Sequence, residues 1–391
     1  MKIVQINATC NSGSTGKICY AISQLLNEKG IENYILYSLG ISDYEQGIKY
    51  TNEKYLKRQA LKSRIFGNYG FNSKGSTKKL ISELEKTKPD IIHLHNIHSN
   101  DVNLKMLFDY IRDNKIKTYW TFHDCWSFTG YCVYFDIVSC EKWKKGCLGC
   151  PQKKQYSWFF DKSKKLYQRK KELIKDIDLT IVTPSCWLAD LVKKSFFKDC
   201  DIKVINNGID LETFKPRESD FRKQYSLEDK YILLGVAFGW GNKKGLDVFL
   251  ELSRRLPDKY QIVLVGTNDE TDKCLPDNII SIHKTNNQTE LAEIYSSADL
   301  FVNPTREENY PTVNMESLAC GTPVLTFKTG GSPEIIDEKT GYVVEKNDVD
   351  EMEKQIIRIC ENGVFSRQDC IEKAKEFNQE DRFKEYINLY E

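Results

Sequence analysis

Short runs rich in β-branched and aromatic residues alternate along the chain with longer stretches whose apolar positions recur at helical spacing. That alternation predicts an α/β protein built of parallel sheets with crossover helices. The first series of strand candidates covers residues 3–7, 34–39, 90–95, 118–123, 180–184 and 203–206, and the second covers 232–237, 262–266, 279–283, 300–303, 324–327 and 342–345. Each series suffices for one Rossmann-like doubly wound sheet, and the segment from Asn207-Gly208-Ile209-Asp210 to Lys215-Pro216 carries the turn residues of a connector. The expected division is 1–208, 209–375, and a last helix in 376–391 that packs back on the first domain. Length agrees with this, since 391 residues at 40% hydrophobic composition exceed what one core of roughly 250 to 300 residues accommodates.

Composition changes the picture in three places. No segment approaches the roughly 18 uninterrupted apolar residues of a membrane span, so the expected location is the cytoplasm. The 13 cysteines are odd in number and follow no secretion signal, which favours free thiols or a metal site over a disulfide framework. The formal charge of +1 hides an asymmetry: residues 1–215 hold 35 basic and 23 acidic side chains, and the remainder holds 22 and 33. Clusters such as Lys144-Lys145, Lys153-Lys154, Lys164-Lys165 and Arg169-Lys170-Lys171 would draw the first half toward an anionic membrane surface or a phosphate-bearing acceptor.

The chemistry concentrates between two strands of the second series, in Arg306-Glu307-Glu308-Asn309-Tyr310-Pro311-Thr312-Val313-Asn314-Met315-Glu316-Ser317-Leu318-Ala319-Cys320-Gly321. Pro311 suits the first turn of a helix and Gly321 its end. The amino end of that helix offers the N–H groups of Thr312 and Val313 to a diphosphate. Glu308 precedes the helix and Glu316 lies within it, so two carboxylates can reach one ligand from neighbouring elements.

Glu308, seven residues and Glu316, followed by Ala-Cys-Gly-Thr-Pro-Val, resembles the donor signature of family-four retaining glycosyltransferases of the GT-B fold. Asn207-Gly208-Ile209-Asp210, Lys244-Gly245, Val265-Gly266, Ala298-Asp299 and Gly330-Gly331 with Pro333-Glu334 match in the same order. The resemblance implies two facing Rossmann-like domains around an interdomain cleft, the second binding a nucleoside-diphosphate sugar. It implies that Glu316 binds the ribose, that Glu308 touches the sugar near the reacting centre, that Lys244 neutralises the diphosphate, and that Asn309, Tyr310 and Pro311 line the donor. It further implies transfer to a hydroxyl of a glycan, lipid-linked in surface polysaccharide synthesis (capsule, O-antigen or exopolysaccharide), with no metal cofactor in the chemistry. The family's usual arginine five residues before the lysine is Gly239 here, and Lys243 or Arg306 is expected to supply the second phosphate cation. An epimerase of the same fold, an inactive binding protein and a zinc-knuckle nucleic-acid binder are the competing readings; the intact donor motif argues against the last.

In the first domain, Asn11-Ser12-Gly13-Ser14-Thr15-Gly16-Lys17 departs from a P-loop at Asn11 and Ile18. Gly13 and Gly16 fit instead a turn that lets backbone approach donor phosphate and acceptor, with a structural tight turn as the alternative. His123-Asp124 closes a strand, and the resemblance gives the histidine a contact with the donor sugar. His93, His95 and His98 read as strand and loop residues. Cys132, Cys140, Cys147 and Cys150, with Cys125 upstream, fit a structural zinc knuckle on a loop (125–150) that otherwise lacks a core; an iron–sulfur cluster and uncoordinated thiols are the alternatives.

Overall fold

The computed structural model describes residues 1–391, and the chain forms two compact units, 1–206 with 382–391, and 207–381. The first holds β1 (Lys2–Asn7), β2 (Glu32–Tyr37), β3 (Gly47–Lys49), β4 (Ile91–Leu94), β5 (Lys117–Thr121), β6 (Leu179–Thr183) and β7 (Asp201–Val204). They lie in the order β3-β2-β1-β4-β5-β6-β7, and every pairing is parallel. The second holds β8 (Tyr231–Val236), β9 (Tyr260–Val265), β10 (Ile279–Ile282), β11 (Leu300–Asn303), β12 (Val324–Phe327) and β13 (Gly341–Val344), ordered β10-β9-β8-β11-β12-β13 and again all parallel. Central strands such as β1, β4 and β9 are buried on both faces and read as near-continuous apolar runs, as parallel sheets covered by helices require.

Twelve of the thirteen strands lie where the hydrophobic pattern predicts them. The exception, β3, is three residues of edge strand, Gly47-Ile48-Lys49, whose register is set by pairing with Ile35 to Tyr37 rather than by any pattern of its own. The unit boundaries also differ from the expected 208/209 and 375/376. Asn207 and Gly208 belong to the second unit, and so do residues 376–381. The reason is local: the Ile209 N–H donates to the Phe377 carbonyl at 2.8 Å, its own carbonyl accepts from Gln379 at 3.0 Å, and Phe377 is buried in that unit's core.

The helix Gln379–Tyr390 then presents Phe383, Tyr386, Ile387 and Tyr390 to Ile3, Ile18, Ile22, Ile91 and Val182 of the first unit. Three aromatic anchors at helical spacing bury their rings there, and the Tyr119 hydroxyl donates to the Leu389 carbonyl at 2.7 Å. No helix of the chain is long and apolar enough to cross a membrane.

Candidate functional site

In an open parallel sheet the crevice for a ligand forms where successive connections leave in opposite directions, outside the carboxyl ends of the strands. The strand order puts that point between β8 and β11 in the second unit and between β1 and β4 in the first.

After β8 the chain turns through Ala237-Phe238-Gly239-Trp240-Gly241 into a 3-10 turn, Asn242–Lys244, and the helix Leu246–Arg255. Gly245 has φ +75°, and a side chain there would meet the Pro304 carbonyl beyond β11 at 2.5 Å, so glycine is what allows the two loops to touch. Across this contact Lys244 Nζ lies 2.6 Å from Glu308 Oε2, both side chains half-buried, and Glu308 Oε1 accepts the Asn309 N–H at 3.1 Å. Lys243 Nζ lies 3.7 Å from Glu307 Oε2. Beneath the loop, Gly330 has φ +55°, and any Cβ would run into the Glu308 carbonyl. The Gly331 N–H donates to the Asn309 carbonyl at 2.6 Å, so the Gly330-Gly331 pair supports the segment that carries Glu308.

The helix Thr312–Ala319 follows at once. Pro311 is its N-cap in extended conformation rather than its first helical residue, and Gly321, with φ +82°, lies just past its end. Thr312 and Val313 occupy the first turn, where backbone N–H groups have no partner within the helix. Tyr310 and Asn309 are buried before it. Glu316, half-buried, accepts a hydrogen bond from the Tyr295 hydroxyl at 3.2 Å. Tyr295 is fully buried, so it fixes this carboxylate from below.

Arg306, one of the two expected replacements for the missing arginine, is committed elsewhere. Its guanidinium makes two 2.7 Å bonds to Asp247, donates to the Asn242 carbonyl at 2.6 Å, and through Nε reaches Asn347 at 2.6 Å. This fork leaves little capacity for phosphate and instead locks the 3-10 turn onto the next helix. The Arg306 guanidinium in turn holds the Asp247 carboxyl below its ordinary pKa. Lys243 and Lys244 are the cations that remain at this switch point. Gly239 has φ +84° with open space around it, a conformation suited to glycine.

In the first unit, Gly13 opens the helix Gly13–Glu28 with φ +67°, and a side chain at Gly16 would meet Thr9 Oγ1 at 2.5 Å. Asn7 ties the ends of β1 and β4 together, donating to the Thr9 carbonyl at 2.8 Å and accepting the Asn96 N–H at 3.1 Å. His123 lies just beyond β5. Its Nε2 is 3.2 Å from Nδ1 of His95, with the rings stacked at 18°. His93, fully buried, bonds Tyr390 at 2.5 Å and Thr121 at 2.8 Å. Burial pushes His123 down to about 4 against the pull of Asp124, and pushes His93 down to about 3. His95 is likewise held well below its ordinary value by burial and by its neighbouring histidines. His98 goes the other way: burial opposes it, but the Asp124 carboxylate, 2.9 Å from its Nε2, outweighs that and raises it. His123 is therefore a neutral imidazole at neutral pH, able to donate or accept a hydrogen bond but carrying no charge.

The cysteine loop has more core than the sequence suggests. Trp126, Phe128, Tyr131, Phe135 and Trp143 are buried in the main cluster of the first unit, and Trp143 packs on Phe135 and Phe128 at 5.1 and 5.2 Å. Lys170 is not a surface charge either. It donates to the Trp126 and Thr129 carbonyls at 2.6 and 3.1 Å and lies 3.5 Å from the Trp126 ring, and burial pushes it down to about 7. Cys132 and Cys150 bring their sulfurs to 3.9 Å, and Cys147 accepts the Gly130 N–H at 3.2 Å. Cys140 packs at the edge of the same cluster. A group of three ligand atoms within 4.8 Å of one another occurs elsewhere, at Asp269, Asp272 and His283, where the 2.6 Å bond from His283 to Asp272 accounts for the contact.

Sequence reasoning missed the partners: Tyr295 under Glu316, Asp247 on Arg306, and His95 beside His123. The alternation His93-Leu94-His95 at the end of β4 was the one available signal for the last.

The comparisons with known proteins agree with this frame. Glycosyltransferase Family 4 matches residues 16–213, and Glycosyl transferases group 1 matches residues 217–377. The chain belongs to glycosyltransferase family 4 and is a two-domain GT-B glycosyltransferase. It is 24% identical, over 100% of both chains, to an Escherichia coli strain K12 protein with the provisional name colanic acid biosynthesis glycosyl transferase WcaC. It is 25% identical over 207 residues to the Campylobacter jejuni N,N'-diacetylbacillosaminyl-diphospho-undecaprenol alpha-1,3-N-acetylgalactosaminyltransferase, a match spanning 50% of this chain and 54% of that enzyme. Among solved structures, sucrose-phosphate synthase from Thermosynechococcus elongatus superposes with a TM-score of 0.73 at 19% identity, covering 100% of this chain and 98% of that one. Anabaena HepE in complex with UDP-glucose superposes with a TM-score of 0.70 at 14% identity, covering 100% and 99%.

Proposed function

We propose that the chain transfers a sugar, with retention of anomeric configuration, from a nucleoside-diphosphate sugar to a hydroxyl of a lipid-linked glycan during bacterial surface polysaccharide synthesis. The observation that carries the donor half of this reading is the 2.6 Å pair of Lys244 and Glu308 at the β8/β11 switch point, beside the amino end of the helix Thr312–Ala319. In the reaction the bond from the anomeric carbon to the leaving phosphate oxygen breaks, the acceptor hydroxyl oxygen bonds to that carbon from the same face, and the hydroxyl proton passes to the departing diphosphate oxygen. Charge develops on the diphosphate, where the Lys244 ammonium and the helix N–H groups stabilise it in place of a divalent cation. Glu316 holds the ribose hydroxyls, Glu308 works at the sugar, and Lys243 adds the second positive charge. HepE, crystallised with UDP-glucose, and the colanic acid and diphospho-undecaprenol names of two relatives support a nucleotide-sugar donor and a lipid-linked acceptor. The basic first unit supports work at the inner face of the cell membrane.

The test is Glu308→Gln with a nucleotide sugar identified by thermal-shift screening: the variant keeps its fold and loses about 100-fold in turnover, and turnover within about threefold of the parent would remove Glu308 from the chemistry. Product formed without acceptor would favour an epimerase; no turnover with any donor would favour a binding protein. Cys132, Cys140, Cys147 and Cys150 are further proposed to hold a structural zinc. The 3.9 Å separation of Cys132 and Cys150 is what two sulfurs on one tetrahedral zinc require, given bonds of about 2.3 Å. Less than about 0.2 equivalents of zinc per chain in reduced, purified protein would refute that assignment.

A further inference from the structure

Trp158, Phe159 and Phe160 are consecutive and all exposed, at 51%, 65% and 52%, and Phe66 beside them is exposed at 50%. Three adjacent aromatic rings in water are not the ordinary scatter of apolar surface residues. The backbone beneath them is held firmly: the Trp158 N–H donates to the Arg64 carbonyl at 2.7 Å, linking this segment to the helix that ends at Phe66, and the Phe160 N–H donates to the hydroxyl of fully buried Ser157 at 3.3 Å. The Tyr131 hydroxyl accepts the Lys162 N–H at 2.9 Å on the far side. The rings fan outward, with Trp158 and Phe159 at 90° and Phe159 and Phe160 at 62°, rather than folding back onto the protein.

The charges around this fan are mostly positive. Lys62 and Arg64 flank it on the helix and Lys164 and Lys165 follow it, all exposed. Lys162 lies 5.5 Å from the Phe160 ring. The one acidic side chain between Lys153 and Lys171, Asp161, is occupied by the Cys150 and Ser163 N–H groups at 2.7 and 2.9 Å.

We propose that this fan is a membrane-docking surface: Trp158, Phe159, Phe160 and Phe66 enter the interfacial layer of an anionic bilayer while the surrounding lysines and Arg64 meet its phosphates. Charge complementarity selects the occupant. Aromatic rings that project from a fixed backbone, ringed by long cationic side chains able to extend to headgroup level, match the two layers of a bilayer surface. The inference deepens the membrane part of the reading above and rests on it only for its purpose, bringing the enzyme to a lipid-linked acceptor.

The experiment is sedimentation of the full chain with vesicles of phosphatidylcholine, with and without phosphatidylglycerol, beside measured nucleotide-sugar binding. The parent binds the anionic vesicles and not the neutral ones. A Trp158→Ser, Phe159→Ser, Phe160→Ser variant binds them about tenfold more weakly, as does Lys164→Glu with Lys165→Glu, and both keep the parent's melting temperature and donor affinity. Equal vesicle binding by parent and variants would overturn the proposal. So would a fan variant that loses self-association in sedimentation velocity while keeping its vesicle affinity, because the fan would then cover a second copy of the chain. Vesicle binding without any nucleotide-sugar binding would leave this surface standing and bring down the transferase reading.

Discussion

The loop after β1 and the loop after β8 occupy the same topological position, each leaving the strand beside which the strand order reverses, yet they carry different chemistry. The first is held by neutral contacts, Asn7 bridging two strand ends and Gly16 seated against Thr9, with the uncharged imidazoles of His93, His95 and His123 behind. The second is held by opposite charges, Lys244 on Glu308, Lys243 near Glu307 and Arg306 on Asp247. One strand order thus serves both a neutral hydrogen-bonding surface and a charged one. The fold fixes where a ligand can go, and the side chains fix which one.

If the charged loop carries the leaving group, Lys244→Ala breaks it with the largest effect, lowering turnover about 100-fold at saturating donor in a steady-state assay, while a change of less than about threefold would make the lysine a structural partner of Glu308. Gly330→Ala tests the support under the loop. Its left-handed φ of +55° and the clash with the Glu308 carbonyl are expected to cost about 2 kcal/mol in denaturant unfolding and to slow turnover by displacing Glu308; unfolding like that of the parent would show that the loop yields freely.

Acid tests the neutral side of the comparison. Unfolded histidines take up protons near 6.5, whereas folded His93 and His123 do so only near about 3 and about 4. Their contribution to stability is therefore complete above pH 6.5 and is lost as pH falls toward 4. His98, raised by Asp124, acts in the opposite sense and offsets part of the loss. The melting temperature is expected to fall between pH 6.5 and 4.5, and substituting His93 by Gln to flatten that dependence; a parent whose melting temperature is constant over the window contradicts the assignment. The smallest effect belongs to Arg306→Ala, which loses the Asp247 fork at a cost of about 1 kcal/mol, given the partly exposed carboxylate. Donor affinity should stay within about twofold. A tenfold loss by calorimetry would return Arg306 to the phosphate site.

Position was far more legible in the sequence than partnership. The strands announce themselves because parallel strands buried on both faces are continuous apolar runs, and β3 escapes because three edge residues carry no period. Glu308 and Glu316 are visible as a spaced pair entering a helix, and Lys244 as a lysine before a glycine after a strand. Their contacts are not, since Lys244 meets Glu308 across 64 residues of chain only after Gly245 and Pro304 bring two loops together. Arg306 was assigned by its charge alone, and its fork on Asp247 depends on the first turn of another helix. The aromatic core of the cysteine loop was hidden for the same reason: Trp143 and Phe135 lie in a segment with no period, and only the folded loop stacks them.

Calorimetric titration of a panel of nucleoside-diphosphate sugars into the parent, Lys244→Ala and Glu308→Gln asks whether the donor sits at the β8/β11 switch point with its diphosphate on Lys244. One donor is expected to bind the parent, Lys244→Ala to weaken that binding at least about tenfold, and Glu308→Gln to bind the donor still while failing to turn it over. Equal affinity in the parent and Lys244→Ala would contradict that placement.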